Sequence, residues 1–513
     1  MKALKKSISI ILALTLLLSL FCCLSSCGNL AGTQGTEGLE FNLLPDGTYA
    51  VSAGTAINLE EIVIPSMHNG KRVSTIANHA FNDNLKSITI PDSITSIEGT
   101  AFVDCSGLKE VNITSLENWC NILFNDYLVY YGDHYNGSLH CYANPLRYAK
   151  NLYLNGELVT ELVIPDGVRH ISKHAFEGYT GLTSITIGND VSSIDDYAFS
   201  GCTELKSVTI GNSVGSIREH AFSGCIGLTN VSIGIGVTSI GDSAFKGCTG
   251  LTSITIPNSV KSIGDWAFNE CTELTSITIP GSVKSIGEYT FYNCIGLTSI
   301  TIPDSVTSIG HGAFTNCAGL TSIDIPDRIV NIEDSVFFNC TGLTSITIPD
   351  SVTRIGDSAF SGCSGLTSIT IPDSVTSIGD SAFSGCSGLT SITIPDSVTS
   401  IEDSAFSRCS GLTSITIPDS VTSIWSSAFS GCSGLTSITI PDSVTWIGRG
   451  AFSGCTEFQT VYYLGTPSNW QHISIGSDNF VLTHTTRYYY SGSNPIDTTY
   501  NYWHDVNGVP TPW

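Results

Sequence analysis

The stretch SGLTSITIPDSVTSIGDSAFSGC, residues 364–386, returns every 23 residues from about residue 159 to residue 458. Twelve cysteines keep that step without a slip, from Cys202 and Cys225 through Cys386 to Cys432 and Cys455. A fixed period over this length identifies a repeat architecture in which each unit is one coil of a stack. Within one unit the apolar positions are Leu366, Ile369, Ile371, Val375, Ile378, Ala382, Phe383 and Cys386. Ile369 and Ile371 alternate with period two around an outward Thr370, so this piece reads as a short strand. Pro372 ends it because proline has no N–H to give to a ladder, and Asp373-Ser374 make the turn. Val375 to Ile378 forms a second inward segment. Asp380 suits the N-cap of a short helical turn that carries Ala382 and Phe383.

A single unit does not fold alone. Burying eight apolar side chains is worth roughly 12–24 kcal/mol, whereas ordering 23 backbones costs about 1–2 kcal/mol each. Stability therefore depends on neighbouring coils pairing their strands, and the two ends need caps. Thirteen uninterrupted coils, starting from Val159 to Leu435, predict a stack of roughly 60 Å at about 4.8 Å per coil. The fold class that follows is a mainly β repeat solenoid with short strands, short helical turns and capped ends.

Leu366-x-x-Ile369-x-Ile371 matches the first half of the leucine-rich repeat pattern. The second half departs from it, with no Asn and with Val375 one position early. The tail A-F-x-x-C-x-x-L resembles the BspA-like branch of leucine-rich repeat proteins, as do Trp119-Cys120 and Asn144-Pro145-Leu146-Arg147-Tyr148-Ala149. The resemblance implies a bacterial surface scaffold, since members of that family are surface proteins and several are associated with adhesion. It implies no catalytic residues.

The sequence has 513 residues, of which only 13% are charged, with a formal charge of −24. A chain this acidic, without a basic stripe, is a poor partner for nucleic acid. Residues 1–27 read as a targeting segment: Lys2, Lys5 and Lys6, an apolar run from Ile8 to Leu24, then Leu24-Ser25-Ser26-Cys27-Gly28. This close resembles a bacterial lipoprotein signal, in which Cys27 is lipidated; the alternative is an ordinary signal. Residues 28–38 would be a flexible spacer, giving a chain anchored to a membrane but not spanning it. The remaining divisions are an N-terminal cap and first coils (39–113), an aromatic-rich insert or degenerate coil (114–158), the uninterrupted solenoid (159–457) and an aromatic C-terminal cap (458–513). The expected location is the bacterial cell surface, and the expected state a monomer.

Of 18 cysteines, Cys22 and Cys23 leave with the leader. Stacked equivalent cysteines lie about 4.8 Å apart with parallel side chains, whereas bridged Cβ atoms sit about 3.8 Å apart and converge. The file is therefore read as small buried apolar residues, and Tyr179, which takes the same position one coil earlier, fits no disulfide or metal scheme. Cys120 and Cys141, off register, are the pair that remains open to bridging.

No nucleophile elbow, P-loop, zinc-protease helix or dinucleotide fingerprint occurs, and no cofactor is implied. Two acidic rows, one led by Asp304 and the other by Asp242, read as turn residues and caps, with calcium as the alternative. The outward Thr row that includes Thr370 reads as ordinary strand surface. The best candidate site comes from departures from consensus. One position after the capping acid most coils carry a small residue, but here stand Tyr197, His220, Trp266 and Tyr289, interrupted by Ser243. Trp425 and Trp446 are further aromatic departures. Exposed rings on a polar surface suit an extracellular protein partner or, alternatively, a glycan.

Overall fold

The computed structural model describes residues 35–128, 139–140, 143–495, 499–506 and 509–513. The leader with Cys27, the spacer up to residue 34, and Cys141 with its pairing to Cys120 lie outside the described residues. The chain forms two units, divided between Leu158 and Val159.

In the second unit most coils give two short strands, such as Ser368–Thr370 and Ser377–Ile378, and the first is reduced to a single bridge at Asp324 and at Thr347. Most pair in parallel with the counterpart 23 residues on, as where Ser368 opposes Ser391, Ile369 opposes Ile392 and Thr370 opposes Thr393. The second strands run as one seven-stranded ladder from His170–Ile171 to Ser308–Ile309, then resume in further ladders. The eight positions expected to face inward, Leu366 to Cys386, are all buried, at 0–7% exposure.

The third side of the coil is not a helix. Ala382, Ser384 and Cys386 donate to Gly379, Ser381 and Phe383, each three residues back, while Ser381, Phe383 and Gly385 donate to Asp403, Ala405 and Ser407 of the next coil. Left-handed backbone at Ser381 (φ 57°) and Gly385 (φ 74°) produces this alternation between local and inter-coil bonds. The expectation that Asp380 caps its own coil is corrected accordingly. The N–H of Asp380 donates to Asp357 Oδ1 at 3.0 Å, and Asp380 Oδ1 accepts from Asp403 at 3.2 Å. The acids form a rung between coils, and glycine precedes most of them because the acid of the preceding coil comes close there, although Glu402 precedes Asp403. A Cβ at Gly379 would lie 2.3 Å from Asp357 Oδ1.

Two interior files run the length of the unit. Phe176 to Phe452 stack with ring centroids 5.2–5.7 Å apart. Beside them the thiols from Cys202 to Cys455 are free and buried. Each donates to the carbonyl of a phenylalanine in the preceding coil at 3.0–3.3 Å. Tyr179 fills the first such position, and its hydroxyl donates to the Val159 carbonyl at 2.5 Å.

The C-terminal end is closed by strands Thr460–Tyr463, Thr486–Tyr490 and Asn501–Val506, then by antiparallel Val509–Pro512. Trp503 Nε1 donates to the Tyr463 carbonyl at 3.1 Å, and the Arg487 guanidinium lies 3.9 Å from the Trp470 ring. Two prolines in the outermost strand blunt it against further pairing.

The first unit opens with the hairpin Glu40–Leu43 and Tyr49–Ser52, whose second strand pairs in parallel with Lys71–Ile76. The aromatic-rich stretch returns to the stack: Leu123–Phe124 pairs with Ser96–Ile97, and Asn151–Leu154 pairs with Glu110–Ile113. The helix Leu116–Cys120, capped by the Ser115 side chain, comes before the first of these strands, and the two-residue ladder of Tyr127–Leu128 with Leu139–His140 lies between the two. Trp119 and Leu146 are buried there, and the Tyr148 hydroxyl donates to the Val103 carbonyl at 3.0 Å. Among the described residues no helix is long and apolar enough to cross a membrane.

Candidate binding surface

The position carrying Tyr197, His220, Trp266 and Tyr289 is the first left-handed residue of each coil. Their φ angles are 58°, 54°, 60° and 51°, and Ser243, Ser358 and Ser381 hold the same conformation in theirs. The backbone is fixed there because each N–H donates to the next coil, as from Tyr197 to the Glu219 carbonyl and from Trp266 to the Glu288 carbonyl, both at 2.9 Å. A left-handed non-glycine residue is strained, by roughly 1–2 kcal/mol, and bulky residues suffer most. Serine and glycine are the economical choices, so large rings at this position need another reason.

The four residues fall into two clusters separated by Ser243. In the first, His174 stacks on Tyr197 at 5.1 Å and Tyr197 on His220 at 4.6 Å. In the second, Trp266 stacks on Tyr289 at 4.2 Å, and Tyr292 lies 6.1 Å from Trp266 and 5.9 Å from Tyr289. His311 meets Tyr289 edge-on at 5.0 Å, and Lys246 Nζ sits 5.3 Å from the Trp266 ring centroid. All four predicted rings are half-buried. They lean along the stack and still present an edge or face to solvent. Trp425 and Trp446 make a separate pair, edge to face at 4.9 Å, with Trp425 41% exposed. A cleft of about 300 Å³ lined by Asp442, Thr445, Tyr463, Asn469 and His472 lies between the coil of Trp446 and the segment that follows it.

His174, Lys246, Tyr292 and His311 were missed in reading the sequence. Tyr292 stands three residues after Tyr289, where Ser200, Ser223 and Ser361 stand in other coils, so the same comparison with consensus would have found it. His174 shares the left-handed position of Tyr197, with φ 61°.

Electrostatically the surface is acidic and stacked. Burial, then Asp196 and Asp242, push the Glu219 carboxyl above its ordinary value. Burial, then Lys246, hold His220 below the usual imidazole value. Burial, then Glu288 and Tyr292, raise the Tyr289 phenol. Among the described residues no group of three His, Cys, Asp or Glu is placed to hold a metal ion.

A stack of parallel coils with a consensus exterior and local clusters of half-buried rings defines a leucine-rich repeat solenoid scaffold. The chain belongs to the BspA-type leucine-rich repeat family, whose model matches residues 53–128, 149–275, 263–390 and 376–494. It is similar to the crystal structure of a leucine-rich repeat protein from Bacteroides ovatus, with 30% identity, TM-score 0.53, and coverage of 71% of this chain and 98% of that one. It is also similar to a leucine-rich cell surface protein from Faecalibacterium prausnitzii, with 28% identity, TM-score 0.39, and coverage of 87% and 98%. No curated protein sequence matches the chain.

Proposed function

We propose that the chain is a lipid-anchored scaffold on the bacterial cell surface that binds a protein partner, as an adhesin does, without catalysis. The family supports the scaffold, and the leader ending at Cys27 supports the anchor. The observation that carries the binding reading is the occupation of the strained left-handed position by Tyr197, His220, Trp266 and Tyr289, where most other coils keep serine or glycine. Rings that are rigid, amphipathic and already stacked lose little entropy on binding, which suits an interface anchor.

The test sets a panel of immobilised extracellular-matrix proteins beside a glycan array. Saturable binding to a protein, lost in Trp266→Ser with Tyr289→Ser at unchanged circular dichroism, is the expected result. Binding that ignores the double variant would reject the surface. Anchoring is read separately: an alkynyl fatty acid should label the wild-type chain in bacteria and not Cys27→Ser.

A second reading, glycan capture, rests on Trp425 and Trp446. An exposed indole followed by a polar cleft suits sugar stacking, and array binding lost in Trp425→Ser would favour it.

A further inference from the structure

Asn269 is 1% exposed, and neither its Oδ1 nor its Nδ2 has a hydrogen-bond partner. A buried amide left unpaired at both ends is costly, and native folds rarely keep one. The fold does not require it. Ser200, Ser223, Ser361 and Ser384 stand at the equivalent position in other coils.

The surroundings say what would pair with it. The backbone N–H of Asn269 donates to the Trp266 carbonyl at 3.0 Å, so the residue sits on the same turn as the first ring of the second cluster. Lys246 and Tyr292 occupy the same position in the coils on either side. The Trp266 and Tyr289 rings stack at 4.2 Å on this turn and the next, and Lys246 already holds its ammonium 5.3 Å from the Trp266 ring. The neighbouring row supplies Asp242, Asp265 and Glu288, and Glu270 is exposed next to Asn269. Opposing these carboxylates are Lys246 and the imidazole of His311.

We propose that this patch binds an extended peptide segment bearing Lys or Arg, contributed by the protein partner. The Asn269 amide matches a peptide group: Nδ2 donates to its carbonyl and Oδ1 accepts its N–H. A cationic side chain lies over Trp266 and Tyr289, held by ring and carboxylates together, in the manner that Lys246 now occupies the ring face. Lys246 and Tyr292, the long side chains flanking Asn269, swing aside to uncover it. A neutral glycan supplies hydroxyls for the amide but no charge for the acidic row, so the peptide uses more of the site. The inference rests on the protein-binding reading and deepens it.

The experiment is fluorescence anisotropy on the full chain with a labelled Gly-Lys repeat peptide, its Gly-Glu counterpart, and maltohexaose as competitor. The Gly-Lys peptide should bind saturably and weaken with added salt. Asn269→Ser and Trp266→Ser, each installing a residue other coils use, should weaken it by about tenfold or more. Asn269→Ser leaves charge unchanged, so it isolates the amide. Its melting temperature should equal or exceed wild type. Binding unaltered by Asn269→Ser, equal binding of the Gly-Glu peptide, or displacement by maltohexaose would overturn the proposal. A chain that captures a matrix protein through Trp266 yet ignores the Gly-Lys peptide overturns this inference alone. Failure of both experiments removes both readings.

Discussion

The thiol of Cys386 donates to the carbonyl oxygen of Phe360, 3.2 Å away and one coil earlier. This bond explains why the file is cysteine and not alanine: a buried carbonyl gains a partner without the coils moving apart. It also makes the thiols inert. Burial raises Cys294 and Cys340 to about 12. At pH 8 about one thiol in ten thousand is then thiolate, against roughly a quarter for an ordinary cysteine. Native protein treated with iodoacetamide should stay unlabelled from Cys202 to Cys455 and label throughout in urea, as read by peptide mass spectrometry. Rapid native labelling within this file would contradict the interior placement.

Phe383 touches its file on both sides, with centroids 5.4 Å from Phe360 and 5.5 Å from Phe406. It is fully buried. Phe383→Ala should cost about 3–5 kcal/mol in urea unfolding. The double variant with Phe406→Ala should cost less than the sum, because the two share one ring contact worth about 0.5–1.5 kcal/mol. Strict additivity would show that the stack contributes area only.

The coil was legible in the sequence because its signals are local and repeated. Leu366, Ile369 and Ile371 give the strand period directly, and the 23-residue step of the cysteines fixes which side chains share a file. The third side was misread because Gly379-Asp380-Ser381-Ala382 carries the composition of a helix start. What decides its conformation is non-local. Asp380 finds the Asp403 N–H in the next coil, and Ser381 must turn left-handed to aim its own N–H at the Asp403 carbonyl. The return of Asn151–Leu154 to the stack was obscured by the long excursion that precedes it. The rings Trp266 and Tyr289 were visible as departures from consensus. The orphaned amide of Asn269 was not, since an asparagine among serines looks like surface until its burial is known.

The acid rung carries a pH dependence. Burial raises the Asp380 carboxyl above its ordinary value, and Asp357 and Asp403 raise it further. The folded chain therefore holds this proton more tightly than the unfolded chain does. A raised acid lowers stability as pH climbs through the folded value, and contributes nothing below the unfolded value near 3.8. Asp380→Asn keeps an oxygen for the Asp403 N–H and removes the charge. Its melting temperature should exceed wild type at pH 7 and equal it below pH 3.8. A lower melting temperature at pH 7 would mean that the charge strengthens the rung more than its neighbours repel it.

The left-handed position separates stability from binding. At Ser381, with φ 57°, glycine should stabilise by up to about 1 kcal/mol, and valine, whose branched Cβ is worst there, should destabilise by more than that. Trp266 shares the conformation, with φ 60°, but stacks on Tyr289 at 4.2 Å. Trp266→Gly relieves strain of roughly 1–2 kcal/mol, and loses a ring contact of about 0.5–1.5 kcal/mol together with the buried part of the indole, worth about 1 kcal/mol or more. The terms oppose, so chemical unfolding should show a loss below about 2 kcal/mol, short of the roughly 3–5 kcal/mol expected for a core ring. A tryptophan that adds so little to the fold has its use at the surface. A loss well above that range would make Trp266 a structural residue and remove the reason for seeking a partner there.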